Sequence, residues 1–382
     1  MAGRIGEILA GHGARLLGVE GPPIAEGAVR YAACIPVRNE AAHIGRCLAA
    51  LNGEFARAAH SLVLINDSDD ESAEIVTGQI ARGECAATAV TVRWQEGLGS
   101  APRARALAFA LALSIAPNAR LFSTDGDTLV CPGLLRAYDA CFEADFDLVC
   151  GRIGFLPEEA ARLPPADPQR DAAIRAYRDA SREIGALCFP DPANPFPHHG
   201  NIGGANFAIT SEAYGKAGPI PLVAFGEDRA LRRRCEAHGL RISYADGPRV
   251  ETSCRLDRPA TGGLAAELLR NRTETDPLVD EALETPRHLL QRLRMRRLVE
   301  EGVRREAVTE ALVAGGLTPE RAGELACWSD RKMAWFHAEA ELPSLARERL
   351  RFSEMARCLP SLLRLRDEIA KAPPGSFPSL AD

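Results

Sequence analysis

No stretch of this chain reaches the roughly 18 to 20 consecutive apolar residues that a membrane-spanning helix needs, so the sequence predicts no transmembrane segment. From Met1 to Gly27 there is one short apolar run, Ile8 to Ala10, with Glu7 beside it, and that is too little for a secretory signal. A basic excess is also missing. The formal net charge is −6, which gives a nucleic-acid-binding surface no support. The eleven cysteines are scattered singly, with no Cys-x-x-Cys pair and no histidines at matching spacing. That pattern argues for reduced thiols and against a zinc site or a secreted disulfide framework. Internal repeats and low-complexity tracts are lacking as well. These absences lead to the expectation of a soluble cytoplasmic protein, with peripheral contact at the inner face of a membrane left open.

What is present is ordinary in amount: 382 residues, 46% hydrophobic and 26% charged, enough for one large domain or a domain with an appendage. The order is informative. Short apolar runs at Tyr31–Val37, Ser61–Asp67, Ala89–Gln95, Ala119–Thr124 and Asp147–Phe155 alternate with helical periods at Ala41–Leu51, Ala73–Ala81, Ala104–Ile115 and Gly133–Glu143. Strand and helix alternating in this way predict βαβ units around a mostly parallel, Rossmann-like α/β sheet flanked by helices. From Leu156 to Gly204 prolines cluster around one helical stretch, Ala172–Ala186, which reads as an insertion or a substrate-facing lid. Regular structure resumes with a strand at Ala205–Thr210, a helix at Glu227–Ala237 and two short strands, Arg241–Tyr244 and Arg249–Ser253. The expected organisation is therefore an N-terminal extension (1–30), an α/β domain (31–262, with the insertion at 156–204) and a helical C-terminal region (263–382). Leu289, Leu290, Leu293 and Leu298 give the last region amphipathic helices. Their apolar faces would pack on the α/β domain or form a homodimer.

Chemistry concentrates at the predicted strand ends, where ligands collect in such sheets. Arg38-Asn39-Glu40 follows the first strand, Asn66-Asp67 the second and Asp125-Gly126-Asp127 the fourth. Two carboxylates one residue apart suit a divalent cation with hard oxygen ligands, Mg²⁺ or Mn²⁺, of the kind that neutralises a diphosphate leaving group. The bland reading of Asp-Gly is a plain turn, and Asn39, Glu40 and Asp67 can equally serve as helix caps. Gly97-Leu98-Gly99-Ser100 ahead of Arg103 and Arg105 is a weak phosphate cradle. Glu227-Asp228 opens a helix, where acids are favoured in any case, but Asp228 also fits a base that takes a proton from a hydroxyl. Arg255 and Arg258 suit a bidentate phosphate clamp or a solvated basic loop. His198 and His199 lie in the proline-rich stretch as metal or acceptor ligands, or as incidental residues.

Taken in this order, these segments resemble family 2 glycosyltransferases of the GT-A fold, over about Tyr31 to Gly262. "IPVRNEAAHIGRCLAAL" is similar to the family's nucleotide-binding first strand and helix, which places Pro36, Arg38, Asn39 and Glu40 at the donor. "LVLINDSDDESAEIV" is similar to its second strand, with Asn66 near the base-contacting position and Asp67 beside it. "APRARALAFAL" resembles the segment that holds an arginine behind the metal, here Arg105. "STDGDT" resembles the DxD motif, which makes Asp125 and Asp127 the implied metal ligands around Gly126. "FGEDRAL" resembles the motif whose aspartate is the catalytic base of inverting members, here Asp228 with Glu227. The chain departs from the family in having Asn66-Asp67 where many members have two aspartates, and Ala106 where asparagine commonly follows the arginine. A processive Gln-x-x-Arg-Trp motif is missing, and no histidine stands in the third metal-ligand position.

The resemblance implies transfer of one sugar from a nucleoside-diphosphate sugar to an acceptor hydroxyl, with Mg²⁺ or Mn²⁺ on the diphosphate and inversion at the anomeric carbon. The alternatives are a retaining GT-A transferase making a small glycoside and a degenerate nucleotide-sugar-binding scaffold. Nucleotidyl transfer ranks below these, because Ile35–Glu40 lacks a Gly-rich basic loop.

Overall fold

The run from Tyr31 to Val37 has no polar face to offer to water, and it forms a strand buried on both sides. Its residues alternate between two cores: Ala32 and Cys34 join one, and Tyr31, Ala33, Ile35 and Val37 join the other. That strand is the centre of the architecture. The computed structural model describes residues 2–22, 29–55, 58–256, 264–302, 304–373 and 377. The chain divides into two compact units: Met1–Arg162, His199–Glu236 and Leu240–Arg255 make the first, and Leu163–His198, Ala237–Gly239 and Leu256–Asp382 the second.

The first unit opens with α1 (Ala2–His12) and β1 (Ala14–Glu20), followed by β2 (Tyr31–Val37), α2 (Ile44–Phe55), β3 (Ala59–Asn66), α3 (Ser72–Ala81) and β4 (Ala87–Trp94). Next come α4 (Ala101–Ile115), β5 (Arg120–Ser123), β6 (Thr128–Val130), α5 (Leu134–Glu143), β7 (Leu148–Phe155) and α6 (Pro157–Ala160). After α7 (Pro168–Cys188), which belongs to the second unit, the chain returns with β8 (Phe207–Ile209), α8 (Ser211–Ala217), α9 (Glu227–Ala237) and β9 (Ile242–Thr252). Among the described residues, nine strands form one sheet in the order β1-β4-β3-β2-β5-β8-β7-β9-β6. Strands β2, β3, β4, β5, β7 and β9 run one way, and β1, β6 and β8 the other. The mostly parallel sheet expected from the sequence is therefore present.

Differences from the sequence reading have local causes. Residues before Tyr31 contribute an edge strand, β1, antiparallel to β4. Its Leu16, Leu17 and Val19 are exposed, so it shows no buried apolar alternation. The two short strands expected at Arg241–Tyr244 and Arg249–Ser253 are one strand, β9, whose pairing with β7 slips between Cys150 and Arg152. Asp246-Gly247-Pro248 looks like a turn in sequence and lies inside this irregular stretch of β9.

The second unit is helical: α7, α10 (Leu264–Thr273), α11 (Pro286–Glu301), α12 (Arg305–Ala314), α13 (Pro319–Cys327), α14 (Arg331–Glu341) and α15 (Phe352–Lys371). The helix in the proline-rich stretch is longer than expected, 21 residues, and is capped by Asp167, which accepts from Gln169 N and Arg170 N. Its Tyr177, Ile184 and Cys188 share a core with Leu290 and Leu293 of α11 and Met355, Leu362 and Leu365 of α15. A separate core gathers Val299, Val308, Leu325, Trp335 and Leu345. No helix among the described residues is long and apolar enough to cross a membrane.

Candidate active site

At the end of β2 the chain turns sharply. Asn39 takes φ +57°, and Asp67, at the end of β3, takes φ +43°; short polar side chains tolerate this left-handed region best. The two turns are tied together. Asn39 N donates to Ser68 Oγ (3.1 Å), Asp69 N to Asn39 Oδ1 (2.8 Å), Glu40 N to Ser72 Oγ (2.8 Å) and Ala41 N to Asp70 Oδ2 (3.0 Å). Asn66 is buried and serves the fold: its amide donates to Val37 O (2.9 Å) and accepts from Trp94 Nε1 (3.1 Å). Asp67 Oδ1 accepts from Trp94 N at 3.1 Å. Trp94 is thus a clasp between the ends of β3 and β4, and the sequence reading had no reason to single it out. Pro36 is half-buried and Arg38 exposed beside these turns.

One buried arginine joins the two acidic motifs. Ser100 accepts from Arg103 N and caps α4, which sets Arg105 in the helix with its guanidinium pointing under the strand ends. Arg105 is 5% exposed. Its Nη2 meets Asp125 Oδ1 at 2.7 Å, its Nε meets Glu227 Oε1 at 3.0 Å, and its Nη1 donates to Ser123 Oγ (2.8 Å) and Gly204 O (2.9 Å). Burial works against the guanidinium charge, and the two carboxylates more than offset it, holding Arg105 ionised. Four of its five N–H groups are used inside the protein, so its place is behind the site and between its two halves. A Cβ on Gly204 would come within 2.4 Å of the guanidinium, so any side chain there would have to displace this buried group. Arg103 donates to His12 O instead (3.1 Å).

Asp127 lies across from a second arginine. Its Oδ1 accepts from Thr252 Oγ1 (3.2 Å), and its Oδ2 is 3.7 Å from Arg255 Nη2. The same Nη2 meets both oxygens of Glu40 at 2.5 Å. Burial first, then Asp125 and Glu40, push the Asp127 carboxyl up to about 7, with Arg255 and Thr252 pulling the other way. Glu40 is raised chiefly by burial, and Arg255 works against that rise. His43 and Glu159, which sequence reasoning missed, complete the cluster. Arg255 Nη1 donates to His43 Nδ1 (2.9 Å), His43 Nε2 meets Glu159 Oε1 (2.7 Å), and Glu159 Oε2 accepts from Ser253 Oγ (2.6 Å) and Cys254 N (2.8 Å). They are widely separated in sequence from Arg255 or from each other and match no local motif. Arg258 lies outside the described residues.

Asp228 is half-buried at the start of α9, and its Oδ1 accepts from Arg229 N at 2.6 Å. Burial and then the neighbouring Glu227 raise its carboxyl above the usual range. Of the two loop histidines, His199 is buried against Cys150 O (3.1 Å), and His198 belongs to the second unit.

The donor set suits a cation shared with a ligand. Among the described residues, no three His, Cys, Asp or Glu side chains gather to hold a metal by themselves. Mg²⁺-type sites commonly use one or two carboxylates with substrate phosphates and water, which Asp125 and Asp127 can supply. A carboxyl pushed up by burial and by like charges is also one that a bound cation would keep ionised.

The family model "Glycosyltransferase like family 2" matches residues 29–275. No curated protein sequence matches the chain. Among solved structures, TarS 1-349 of S. aureus in complex with UDP-GlcNAc is 14% identical with a TM-score of 0.45, over 82% of this chain and 90% of that one. The mannosyltransferase PcManGT from Pyrobaculum calidifontis, in complex with GDP-Man and Mn²⁺, is 16% identical with a TM-score of 0.43, over 97% and 85%. Glucosyl-3-phosphoglycerate synthase from Mycobacterium tuberculosis is 17% identical with a TM-score of 0.39, over 70% and 82%. The family match spans well over half of the chain, from just before β2 to just past α10, and so the chain belongs to the family 2 glycosyltransferases and is a glycosyltransferase of the GT-A fold.

Proposed function

We propose that the protein transfers a single sugar from a nucleoside-diphosphate sugar to an acceptor hydroxyl, with inversion. The observation that carries this reading is Arg105, which holds Asp125 at 2.7 Å and Glu227 at 3.0 Å and so makes one site of two distant motifs. Asp127 and Asp125 would hold Mg²⁺ or Mn²⁺, which when bound neutralises charge on the departing diphosphate. Arg255 flanks the diphosphate from the other side of Asp127. Asn39, Asp67 and the Asn66–Trp94 clasp border the place of the nucleoside, with Pro36, Arg38 and Gly126 beside them.

Asp228 takes the acceptor proton. The acceptor oxygen then bonds to the anomeric carbon as the bond to the diphosphate oxygen breaks, and the diphosphate leaves with the electron pair. The raised Asp228 carboxyl is a stronger base than an ordinary aspartate. Glu227, fixed by Arg105, keeps the start of α9 in place.

The test is a thermal-shift panel of UDP, GDP, CDP and dTDP sugars with and without Mn²⁺, followed by Asp228→Asn with the donor that binds. A ligand at 100 times its Kd adds about 2.7 kcal/mol. Asp228→Asn is expected to cost about 10²- to 10⁴-fold in turnover with donor binding intact. A variant that loses donor binding and keeps its turnover per bound donor would refute the role given to Asp228.

A further inference from the structure

Arg255 is held at two ends, and the ends differ. On one side Nη2 faces carboxylates, Glu40 at 2.5 Å and Asp127 at 3.7 Å. On the other side Nη1 donates to the ring of His43 at 2.9 Å. Guanidinium only donates, so His43 Nδ1 must be an acceptor, and the ring proton sits on Nε2, aimed at Glu159 Oε1 2.7 Å away. Glu159 is in turn fixed by Ser253 Oγ and Cys254 N, the residues immediately before Arg255. The loop runs from Arg255 through His43 and Glu159 back to the backbone beside Arg255.

We infer that His43 and Glu159 are positioning residues for Arg255: they fix its Nη1 edge so that the Nη2 edge can exchange Glu40 for a diphosphate oxygen. This inference rests on the reading of Arg255 as a diphosphate ligand. An arginine fork is worth most when its plane is fixed before the ligand arrives. Without His43 the long side chain regains its rotamers at the Nη1 end and is held only from the carboxylate side, by Glu40 and Asp127. The tautomer set by Glu159 matters for the same reason, because a ring donating from Nδ1 would repel the guanidinium.

The experiment is calorimetric titration of inorganic pyrophosphate with Mn²⁺ into the full chain, arranged as a double-mutant cycle. Outer partners that orient metal-ligating side chains are typically worth about 10- to 100-fold, and an effect of the same order is expected for an oriented arginine. His43→Phe and Glu159→Ala are each expected to weaken binding by about tenfold or more. His43→Asn, whose amide oxygen can replace Nδ1 as acceptor, should restore most of the loss. In an Arg255→Ala background His43→Phe should add nothing. Equal losses with and without Arg255, or no loss with Arg255 present, would overturn the inference. Should His43→Phe fail to fold, the cycle of Glu159→Ala with Arg255→Ala is read in the same way. Absence of binding by the wild-type chain would remove the diphosphate site itself, and this inference with it.

Discussion

Among the described residues each unit buries one arginine between two carboxylates, yet the two triads are built for different ends. Arg105 in the first unit meets Asp125 and Glu227, and Arg292 in the second meets Glu284 through Nε (2.8 Å) and Nη2, and Glu339 at 3.1 Å. Around Arg292 the acids are closed in: the Glu284 side chain is 3% exposed, and Nη2 also donates to Leu345 O at 2.7 Å. Around Arg105 one acid opens outward, with the Asp125 side chain 34% exposed, and the neighbouring Glu40 and Asp127 carboxyls, raised first by burial, are raised further by Asp125. A buried ion pair is therefore no mark of function by itself. The mark is a crowd of carboxylates larger than the local arginines satisfy, at the ends of strands.

Removing each arginine separates the two roles. Arg105→Met strands Asp125 and Glu227, and loss of one partner from a buried pair costs about 3 to 5 kcal/mol. Because it also frees the two halves of the site, turnover per folded molecule should fall below detection. Arg292→Met is expected to cost a similar 3 to 5 kcal/mol in urea unfolding, while the fraction that stays folded turns over at the wild-type rate. Equal loss of turnover in both variants would erase the distinction between a clasp and a catalytic frame.

How much of this contrast can be read from sequence depends on distance along the chain. The strand Tyr31–Val37 and the helix Glu227–Ala237 have the bounds expected from apolar pattern and acidic first turn. Asp125, Asp127, Glu227 and Asp228 stand out because each pair sits in one short motif, and the resemblance to a family placed Arg105 behind the metal, but its bond to Glu227, 122 residues away, was not legible. His43, Glu159 and Trp94 were not legible. The His43–Glu159 hydrogen bond spans 116 residues and the Trp94–Asn66 bond 28, and no local period connects such pairs. The Arg292 triad was hidden for the same reason, since Glu339 is 47 residues away. Edge strand β1 escaped because a strand with exposed leucines follows no inside-outside alternation.

His60 shows a third way to bury an ionisable group, and it sharpens the comparison with the smallest expected effect. It lies on β3, buried, with its Nε2 2.9 Å from Thr88 Oγ1. Where Arg105 and Arg292 keep their charge by pairing, His60 gives its charge up, and burial pushes it down from 6.5 to about 4. Because the folded pKa is the lower one, the unfolded chain takes the proton more readily. Stability is then complete above about pH 6.5 and is lost as the pH falls toward about 4. Between pH 7 and pH 5.5 this one group should cost about 1 kcal/mol of unfolding free energy. His60→Gln retains a hydrogen-bonding partner for Thr88 and cannot titrate, so its unfolding free energy from urea titration should change less over that range by about the same 1 kcal/mol. An identical pH slope in both proteins would mean that His60 takes its proton in the fold as readily as in the unfolded chain, and that burial at this site is offset as it is for the two arginines.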